Sequence, residues 1–455
     1  MFDKTHFYKT LWRLALPITI QQVLTSSFGL VDTVMVGQLG AVEVAAVGLA
    51  NRFYTVLALI LFALSSGTAI FTAQFWGKKD AHLIGKPMGI ALLCAGASAG
   101  VFACAALLVP ALIMRVFTTD AAVIQAGSVY LRIVAMSYVL AAVTAIYSGV
   151  LRSVEHVKLP MFASTSALGL NTLLNYGLIL GHFGLPALGV KGAAMATLIA
   201  RIIETALIVL VTHGKKYPAR PAFDLVTIPA AFIKRFFRIT APVVVNEFLW
   251  VLGVTMYPIV YGRMGTTDIA AINMTAPVEQ IALALFGGLF NAGAVMIGNQ
   301  IGAGRNETAF AYARQLMFWG PFGAIFAGGL IFISAPGLVT LFQVAPEVQA
   351  LAVNVFSVMS CLLWMKVFNC IAAISIFRSG GDTTYALYWD VGTTWIIGVP
   401  LALLGGFVWQ LPVYWVFALT YAEEVARMTL ALQRIYSKKW IHNLAGHEPV
   451  QESVR

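Results

Sequence analysis

The chain has 455 residues, of which 60% are hydrophobic and only 11% are Asp, Glu, Lys or Arg. A mean hydropathy of +0.84 excludes a soluble globular or disordered chain and is typical of a protein whose solvent is lipid. The formal net charge of +10 is not gathered in a basic domain outside the apolar stretches. We therefore expect a polytopic membrane protein in contact with the bilayer and no nucleic-acid partner.

Apolar stretches follow one another along the whole chain. A membrane-spanning helix needs about 20 mainly apolar residues, and twelve such stretches are found. They centre near Thr25, Leu59, Gly100, Ser137, Leu168, Ala200, Leu249, Leu283, Gly323, Cys361, Ile396 and Glu424. The first is too long and too polar for a removable signal sequence. The predicted fold class is an all-α polytopic membrane protein with 12 transmembrane helices.

The first predicted span contains a carboxylate, Asp32, midway along its apolar run. A charge at the bilayer centre costs at least a few kcal/mol, so an ionisable group there is a functional-site hypothesis. Pro17 lies inside the same helix, where proline removes a backbone hydrogen bond and produces a kink or hinge. These residues predict proton binding at Asp32 on a bendable helix; a static kink beside a permanently neutral acid is the alternative.

The fourth to sixth spans supply polar side chains that suit a carboxyl group. Asn171 and Asn175 are four residues apart and therefore share one helix face. Amides can donate to a carboxylate or accept from the protonated acid. Tyr130 and Thr197 complete the predicted proton-binding and coupling set with Asp32, although hydrogen bonding between helices is the alternative for such hydroxyl side chains.

The chain also aligns with itself. The shift that places Pro17 on Pro242 also places Gly37 on Gly262, and a shift longer by a single position places Arg152 on Arg378. This duplication predicts two six-helix lobes related by a pseudo-two-fold axis along the membrane normal, with a substrate cleft between them and alternating access. The predicted domains are the N-terminal lobe at 1–213, a cytoplasmic linker at 214–235, the C-terminal lobe at 236–436 and a cytoplasmic tail at 437–455.

The second half does not copy the acid of the first half. At the first of these shifts Asp32 falls on Tyr257, and Gln22 falls on Glu247. Glu247 in the seventh span and Glu279 in the eighth are further intramembrane acids. We expect Glu247, Glu279, Gln22 and Tyr257 to line the substrate cleft or to hold a second cation.

Lys and Arg are concentrated in alternate loops. Only Arg115, Lys191 and Arg263 lie on the other side, so the bias predicts that both termini are cytoplasmic. Enzyme motifs such as a phosphate-binding glycine loop, a nucleophile elbow or a His-Glu-x-x-His helix are absent from the sequence. The four cysteines lack the paired spacing of a metal or redox site. We expect a protein that is not an enzyme and needs no metal or other cofactor.

Several runs of residues resemble the multidrug and toxic compound extrusion (MATE) family. They are Pro17, Phe28-Gly29-Leu30-Val31-Asp32-Thr33-Val34-Met35-Val36-Gly37, Gln74-Phe75-Trp76-Gly77, Gly149-Val150-Leu151-Arg152-Ser153 and Gly189-Val190-Lys191-Gly192. The resemblance implies the two-lobe MATE/MOP fold in the cell (inner) membrane. It also implies export of cationic or amphipathic drugs and toxic organic compounds in exchange for protons or sodium. We expect a functional monomer.

The acid and the two asparagines resemble the DinF-like branch, whose first-lobe acid binds the coupling ion. Asn175 stands where related members can have a second Asp, and the tenth-span acid of sodium-coupled members aligns near Val367 and is missing. The resemblance therefore favours H+ over Na+ as the coupling ion. It implies that protonation of Asp32 rearranges its hydrogen bonds and bends the first span at Pro17. A sodium-coupled drug antiporter and a flippase for lipids or lipid-linked precursors remain alternatives.

Overall fold

The computed structural model describes residues 3–223, 228–340, 342 and 344–446, and within these ranges the chain is helical without a strand. The α-helices are α1 Lys4–Gly37, α2 Ala41–Gly77, α3 Gly85–Leu108, α4 Pro110–Phe117, α5 Ala121–Ser153, α6 Lys158–Leu180, α7 Val190–Gly214, α8 Ala230–Met264, α9 Thr266–Gly302, α10 Asn306–Val339, α11 Pro346–Cys370, α12 Thr383–Thr393, α13 Val399–Leu403 and α14 Val413–Tyr436. A 3₁₀ turn at Ala81–Ile84 precedes α3. Wider π-helical turns continue α11 and flank α13, at Ile371–Arg378, Thr394–Gly398 and Leu404–Val408.

In the described part of the chain, ten helical segments are long and apolar enough to cross a membrane by length and composition. They account for ten of the predicted spans, and the centres of the other two, Leu168 and Glu424, lie in α6 and α14. These helices carry more polar residues, including the asparagines of α6 and the charged residues of α14. The predicted all-α fold with twelve spans is confirmed. The short helix α4 was not predicted; Pro110 begins it, as proline often does at a first helical position.

The chain divides into two compact units. The N-terminal unit is Ile20–Thr240, and the C-terminal unit is Met1–Thr19 with Ala241–Arg455. The boundaries therefore fall inside α1 and α8, close to Pro17 and Pro242, where the helical hydrogen-bond ladder is interrupted. The lobe, linker and tail boundaries predicted at 1–213, 214–235, 236–436 and 437–455 stay predictions.

The N-terminal unit is held together where α2 and α5 approach closely. A Cβ atom on Gly149 would lie 2.1 Å from the Ser65 hydroxyl oxygen, so the contact requires glycine. Ser65 donates to the Ala145 carbonyl oxygen at 2.9 Å, and the hydroxyls of Thr72 and Ser153 lie 2.6 Å apart. Small and hydroxyl side chains allow this close packing where lipid provides no hydrophobic drive between helices.

The C-terminal unit has an apolar core between α8, α9, α11 and α14 that includes Val260, Phe356, Met359 and Val416. Glycine again permits a close approach of α10 to α11, because a Cβ on Gly328 would lie 2.3 Å from the Ser360 carbonyl oxygen. The described end of the chain packs onto the same unit. Trp440 is fully buried, and Asn443 donates to the Ile301 carbonyl oxygen at 3.0 Å.

Candidate functional site

Asp32 lies in the part of α1 that belongs to the N-terminal unit, and it is half-buried. Asn175 of α6 donates from Nδ2 to Asp32 Oδ1 at 2.6 Å. Asn171 lies one helical turn earlier on the same face, and the two asparagines are only 6% and 2% exposed. The helical spacing of the sequence therefore places both amides against the carboxyl group.

The side-chain amide of Asn171 can present either its oxygen or its nitrogen to Asp32, and the two orientations have different chemistry. In one, its Oδ1 faces both Asp32 oxygens at 3.0 Å and accepts from Asn175 Nδ2 at 3.2 Å. That arrangement suits a protonated Asp32, whose hydroxyl can donate to the amide oxygen. After a half-turn, the Asn171 nitrogen can donate to both carboxylate oxygens, and its oxygen accepts from the Thr197 backbone N–H at 3.2 Å. The second arrangement suits the ionised acid, so one set of side chains can hold either form.

The other two residues of the predicted set lie beside this triad. Tyr130 of α5 is buried, and its hydroxyl interacts electrostatically with Thr197 of α7 and with Asp32. Thr197 also donates to the Ala193 carbonyl oxygen at 3.0 Å. The structure thus brings together the five residues predicted from the first half of the chain: Asp32, Tyr130, Asn171, Asn175 and Thr197. Their role in proton binding stays a prediction.

Pro17 is half-buried within the continuous helix α1 and belongs to the C-terminal unit, whereas Asp32 belongs to the N-terminal unit. Its position close to a unit boundary is consistent with a hinge. Its role as a hinge stays a prediction.

The second predicted set is arranged differently from the first. Glu247 Oε1 forms a salt bridge with Arg378 Nη2 at 2.6 Å. Glu279 forms a salt bridge with Lys366. Each of these two acids is therefore neutralised by a basic side chain, which the sequence did not indicate. Gln22 is half-buried in the N-terminal unit, whereas Glu247, Glu279 and Tyr257 belong to the C-terminal unit.

Sequence reasoning missed a buried charged network in the C-terminal unit. Arg427 of α14 contacts Asp390 at 2.8 Å and Glu424 at 3.3 Å, and it donates from Nε to Thr393 Oγ1 at 2.9 Å. Glu423, the neighbour of Glu424, accepts from the Tyr257 hydroxyl at 2.8 Å. The spacing of charges on α14 was visible in the sequence, but the partners on α8, α11 and α12 were not.

A second chain of polar contacts lies in the N-terminal unit. Gln21 donates to Ser164 at 3.0 Å, Ser164 donates to Glu204 at 2.7 Å, and Arg201 pairs with Glu204 at 2.7 Å. The Arg201–Glu204 pair has the i, i+3 spacing that brings two side chains together on one helix face. It satisfies a buried carboxylate without leaving a free charge.

The family model MatE matches residues 17–177 and 242–404. The chain belongs to the MatE family. The two matched regions begin at Pro17 and Pro242, the same two residues that the alignment of the sequence with itself superimposes. Membership of MatE confirms the family resemblance seen in the sequence; assignment to the DinF-like branch stays a prediction. With its apolar helices, this MatE chain is a multi-pass membrane protein.

Curated relatives match this MatE chain over nearly its full length. It is 26% identical to the "Uncharacterized transporter YisQ" of Bacillus subtilis, with 96% of each chain covered. It is 24% identical to the "Probable multidrug resistance protein NorM" of Thermotoga maritima, with 95% of this chain and 93% of the relative covered. A mutant of the Vibrio cholerae MATE transporter VcmN has a similar structure, with a TM-score of 0.87, 18% identity and coverage of 96% and 98%. That likeness shows a shared fold.

Proposed function

We propose that this MatE protein is a proton-coupled antiporter that exports cationic or amphipathic compounds by alternating access. The observation that carries the proposal is the Asp32 carboxyl group, held 2.6 Å from Asn175 Nδ2 in an apolar helical unit. A single carboxyl group with partners for both of its forms can bind and release one proton without losing its hydrogen bonds. The class of compound is suggested by relatives named for multidrug resistance.

The residues around Asp32 suggest how proton binding changes the unit. The ionised carboxylate is held by the amide nitrogens of Asn175 and Asn171, in the rotated orientation of Asn171. On protonation, the Asp32 hydroxyl donates to Asn171 Oδ1, and Asn171 exchanges its contact with the Thr197 backbone for one with Asn175. This exchange alters the contacts between α1, α6 and α7. We infer that α1 bends at Pro17 in response and that substrate is released to the outside.

The energy of proton entry limits what one exchange can achieve. One proton crossing 100 mV provides about 2.3 kcal/mol, and a tenfold gradient of a neutral solute costs about 1.4 kcal/mol. Exchange of one proton for one monovalent cation moves no net charge, so such an exchanger responds to the pH gradient alone. Our proposal includes placement in the cytoplasmic membrane with both termini inside, function as a monomer and no resident cofactor.

Transport by the reconstituted full-length protein tests the proposal. Proteoliposomes that are acidic inside should accumulate the cationic dye ethidium, because protons leave as the dye enters. Asp32→Asn should abolish this uptake. A matched control is Asp120→Asn: Asp120 caps α5 by accepting from the backbone of Ala122 and Val123 at 2.8 and 3.2 Å, and Asn caps as well as Asp does.

Asn171→Leu provides a graded test of the hydrogen-bonding step. It keeps the side-chain volume and removes a hydrogen bond to a charged group, which contributes about 1.5–3 kcal/mol. Proton-driven uptake should fall by about 10- to 100-fold.

Full uptake by Asp32→Asn would refute the proposal. Uptake driven by a sodium gradient and not by protons would instead favour the sodium-coupled antiporter, and movement of a labelled lipid without dye uptake would favour the flippase.

A further inference from the structure

The C-terminal unit contains a buried cluster with more acids than bases. Its charged members are Glu279 of α9, Lys366 of α11, Asp390 of α12, and Glu423, Glu424 and Arg427 of α14. Its neutral titratable members are Tyr257, Tyr261, Cys370 and Tyr421. Among these described residues, four carboxyl groups face two cations. With every carboxyl group and both bases ionised, the cluster carries two uncompensated negative charges inside a membrane domain, an arrangement that folded proteins avoid by binding a proton or a cation.

The contacts show which carboxyl group is least compensated. Glu279 has Lys366 as a direct partner. Asp390 has Arg427 at 2.8 Å and the Asn246 amide nitrogen at 3.0 Å. Glu424 has Arg427 at 3.3 Å and the Asn369 amide nitrogen at 2.7 Å.

Glu423 is different from these three carboxyl groups. Its distance to Arg427 is 3.9 Å, and its closest contact in the described part of the chain is the neutral hydroxyl of Tyr257 at 2.8 Å. It is only 5% exposed. Glu423 is therefore the carboxyl group of the cluster whose negative charge is least compensated, and it is where an added proton is expected.

An independent observation shows that the cluster lacks hydrogen-bond donors as well as positive charge. Asn246 and Asn369 are each 4% exposed, and their amide nitrogens bind Asp390 and Glu424. Within the ranges that the structure describes, the Oδ1 atoms of the same two amides have no hydrogen-bond partner. Buried amide oxygens are normally satisfied, so the hydrogen bonding around Asp390 and Glu424 is incomplete, as is the charge balance of the whole cluster.

The space around Glu423 favours a proton over a metal ion. A Cβ atom on Gly398, in the π-helical turn after α12, would lie 2.2 Å from Glu423 Oε2 and 2.2 Å from the Tyr257 hydroxyl oxygen. The carboxyl group is thus closed in by a helix backbone on one side and a phenol on the other. A proton needs no additional volume there, whereas a coordinated ion needs several converging oxygens.

We propose that Glu423, positioned by Tyr257, carries a second exchangeable proton of this protein. This site is separate from Asp32, lies wholly in the C-terminal unit, and holds its proton whether or not Asp32 is the coupling group. Tyr257 acts as a positioning residue: it donates to the ionised carboxylate and accepts from the protonated acid. Lys366 and Glu279 are the most exposed of the charged members of the cluster, with side chains 25% and 18% exposed.

Infrared difference spectroscopy of the full-length protein in sodium-free nanodiscs tests this proposal through the carboxylic C=O stretch. A pH jump should reveal bands from protonated carboxyl groups in the wild type. Glu423→Gln should remove one band and lower the number of protons released per chain by about one. The matched control is Glu307→Gln, because Glu307 is an exposed surface residue paired with Lys438 and should leave the bands unchanged.

A second variant keeps the test informative if Glu423→Gln folds poorly. Tyr257→Phe preserves the ring and removes the hydroxyl, so the Glu423 band should shift in frequency while other bands stay in place. The proposal is overturned if Glu423→Gln leaves every carboxyl band intact, or if the Glu423 band does not respond to pH. It is also overturned if sodium at constant pH removes that band. Asp32→Asn removes a different band, so failure at one site is distinguishable from failure at the other.

Discussion

The buried pair of Glu247 and Arg378 provides a quantitative test of how this unit neutralises its acids. The two charged groups lie 2.6 Å apart, with side chains 11% and 7% exposed. At an effective dielectric constant of about 20, two unit charges at this distance attract by about 6 kcal/mol. Desolvation of both groups opposes most of this attraction. The pair as a whole should contribute little, whereas either charge left alone should be costly.

The perturbation is Arg378→Met, which preserves much of the side-chain length and leaves the Glu247 carboxylate without its salt bridge. Breaking a buried pair from one side costs about 3–5 kcal/mol, so we expect the unfolding equilibrium constant to rise by about 10²- to 10³-fold or more. Glu247→Gln alone should be similarly destabilising. The double variant should recover most of the loss, since no buried charge then remains unpaired.

The assay is unfolding of the purified protein in mixed dodecyl maltoside and sodium dodecyl sulfate micelles, followed by tryptophan fluorescence. The two single variants and the double variant form a double-mutant cycle, which isolates the interaction between the two side chains. A loss below about 1 kcal/mol for Arg378→Met would refute the reasoning, given the expected loss of about 3–5 kcal/mol. So would a double variant no more stable than either single one.

Three further variants test the packing and the loops. In the same unfolding assay, Gly328→Ala should destabilise the protein by about 1–3 kcal/mol, because it disturbs the contact between α10 and α11. Gly329→Ala is the control, since a Cβ at Gly329 meets open space, and it should have little effect. Equal effects of the two variants would contradict the close approach of the helices. Trp440→Ala should cost about 3–5 kcal/mol and make the end of the chain sensitive to limited proteolysis, because Trp440 is fully buried; unchanged proteolysis would argue against its docking. Burial lowers the pKa of His156, with Glu155 opposing, and its ring stacks on Tyr217 at 4.2 Å. The unfolded chain therefore binds a proton at the His156 imidazole more readily than the folded protein does, so stability should fall as the pH drops through about 6.5 and below. His156→Phe should weaken this pH dependence of stability. An identical pH profile for the variant and the wild type would contradict the prediction.

The proximity of the asparagines to Asp32 could be anticipated from the sequence because much of the geometry is local to helices. Asn171 and Asn175 are four residues apart, so any α-helix through them places both amides on one face. Asp32 was conspicuous because an acid in an apolar run is costly and rare. The contact of 2.6 Å between Asn175 Nδ2 and Asp32 Oδ1 then requires only that α1 and α6 lie side by side. The two orientations of Asn171 could not be read from the sequence, since they depend on distances to Asp32 and Thr197.

The sequence indicated less about the contacts of the second-half acids, because their partners do not lie in the local sequence. Arg378 is far from Glu247 along the chain and stands at the predicted cytoplasmic end of a span, yet it is buried and bonded to that acid. Glu279 and Lys366 are likewise far apart in the chain. The sequence identified these acids as intramembrane charges but could not show that bases already neutralise Glu247 and Glu279.

By itself, the sequence determined the number and order of the spans, the duplication that places Pro17 on Pro242, and the family. It does so because a chain in lipid must satisfy its backbone hydrogen bonds within each helix, which leaves hydropathy as a direct record of the spans. Only the tertiary structure decided which acids lie in close contact with a cation and which lie farther from one, as Glu247 at 2.6 Å and Glu423 at 3.9 Å show. Those pairings depend on the rotation and depth of neighbouring helices, and a change of about 100° or 1.5 Å per residue is enough to exchange one partner for another.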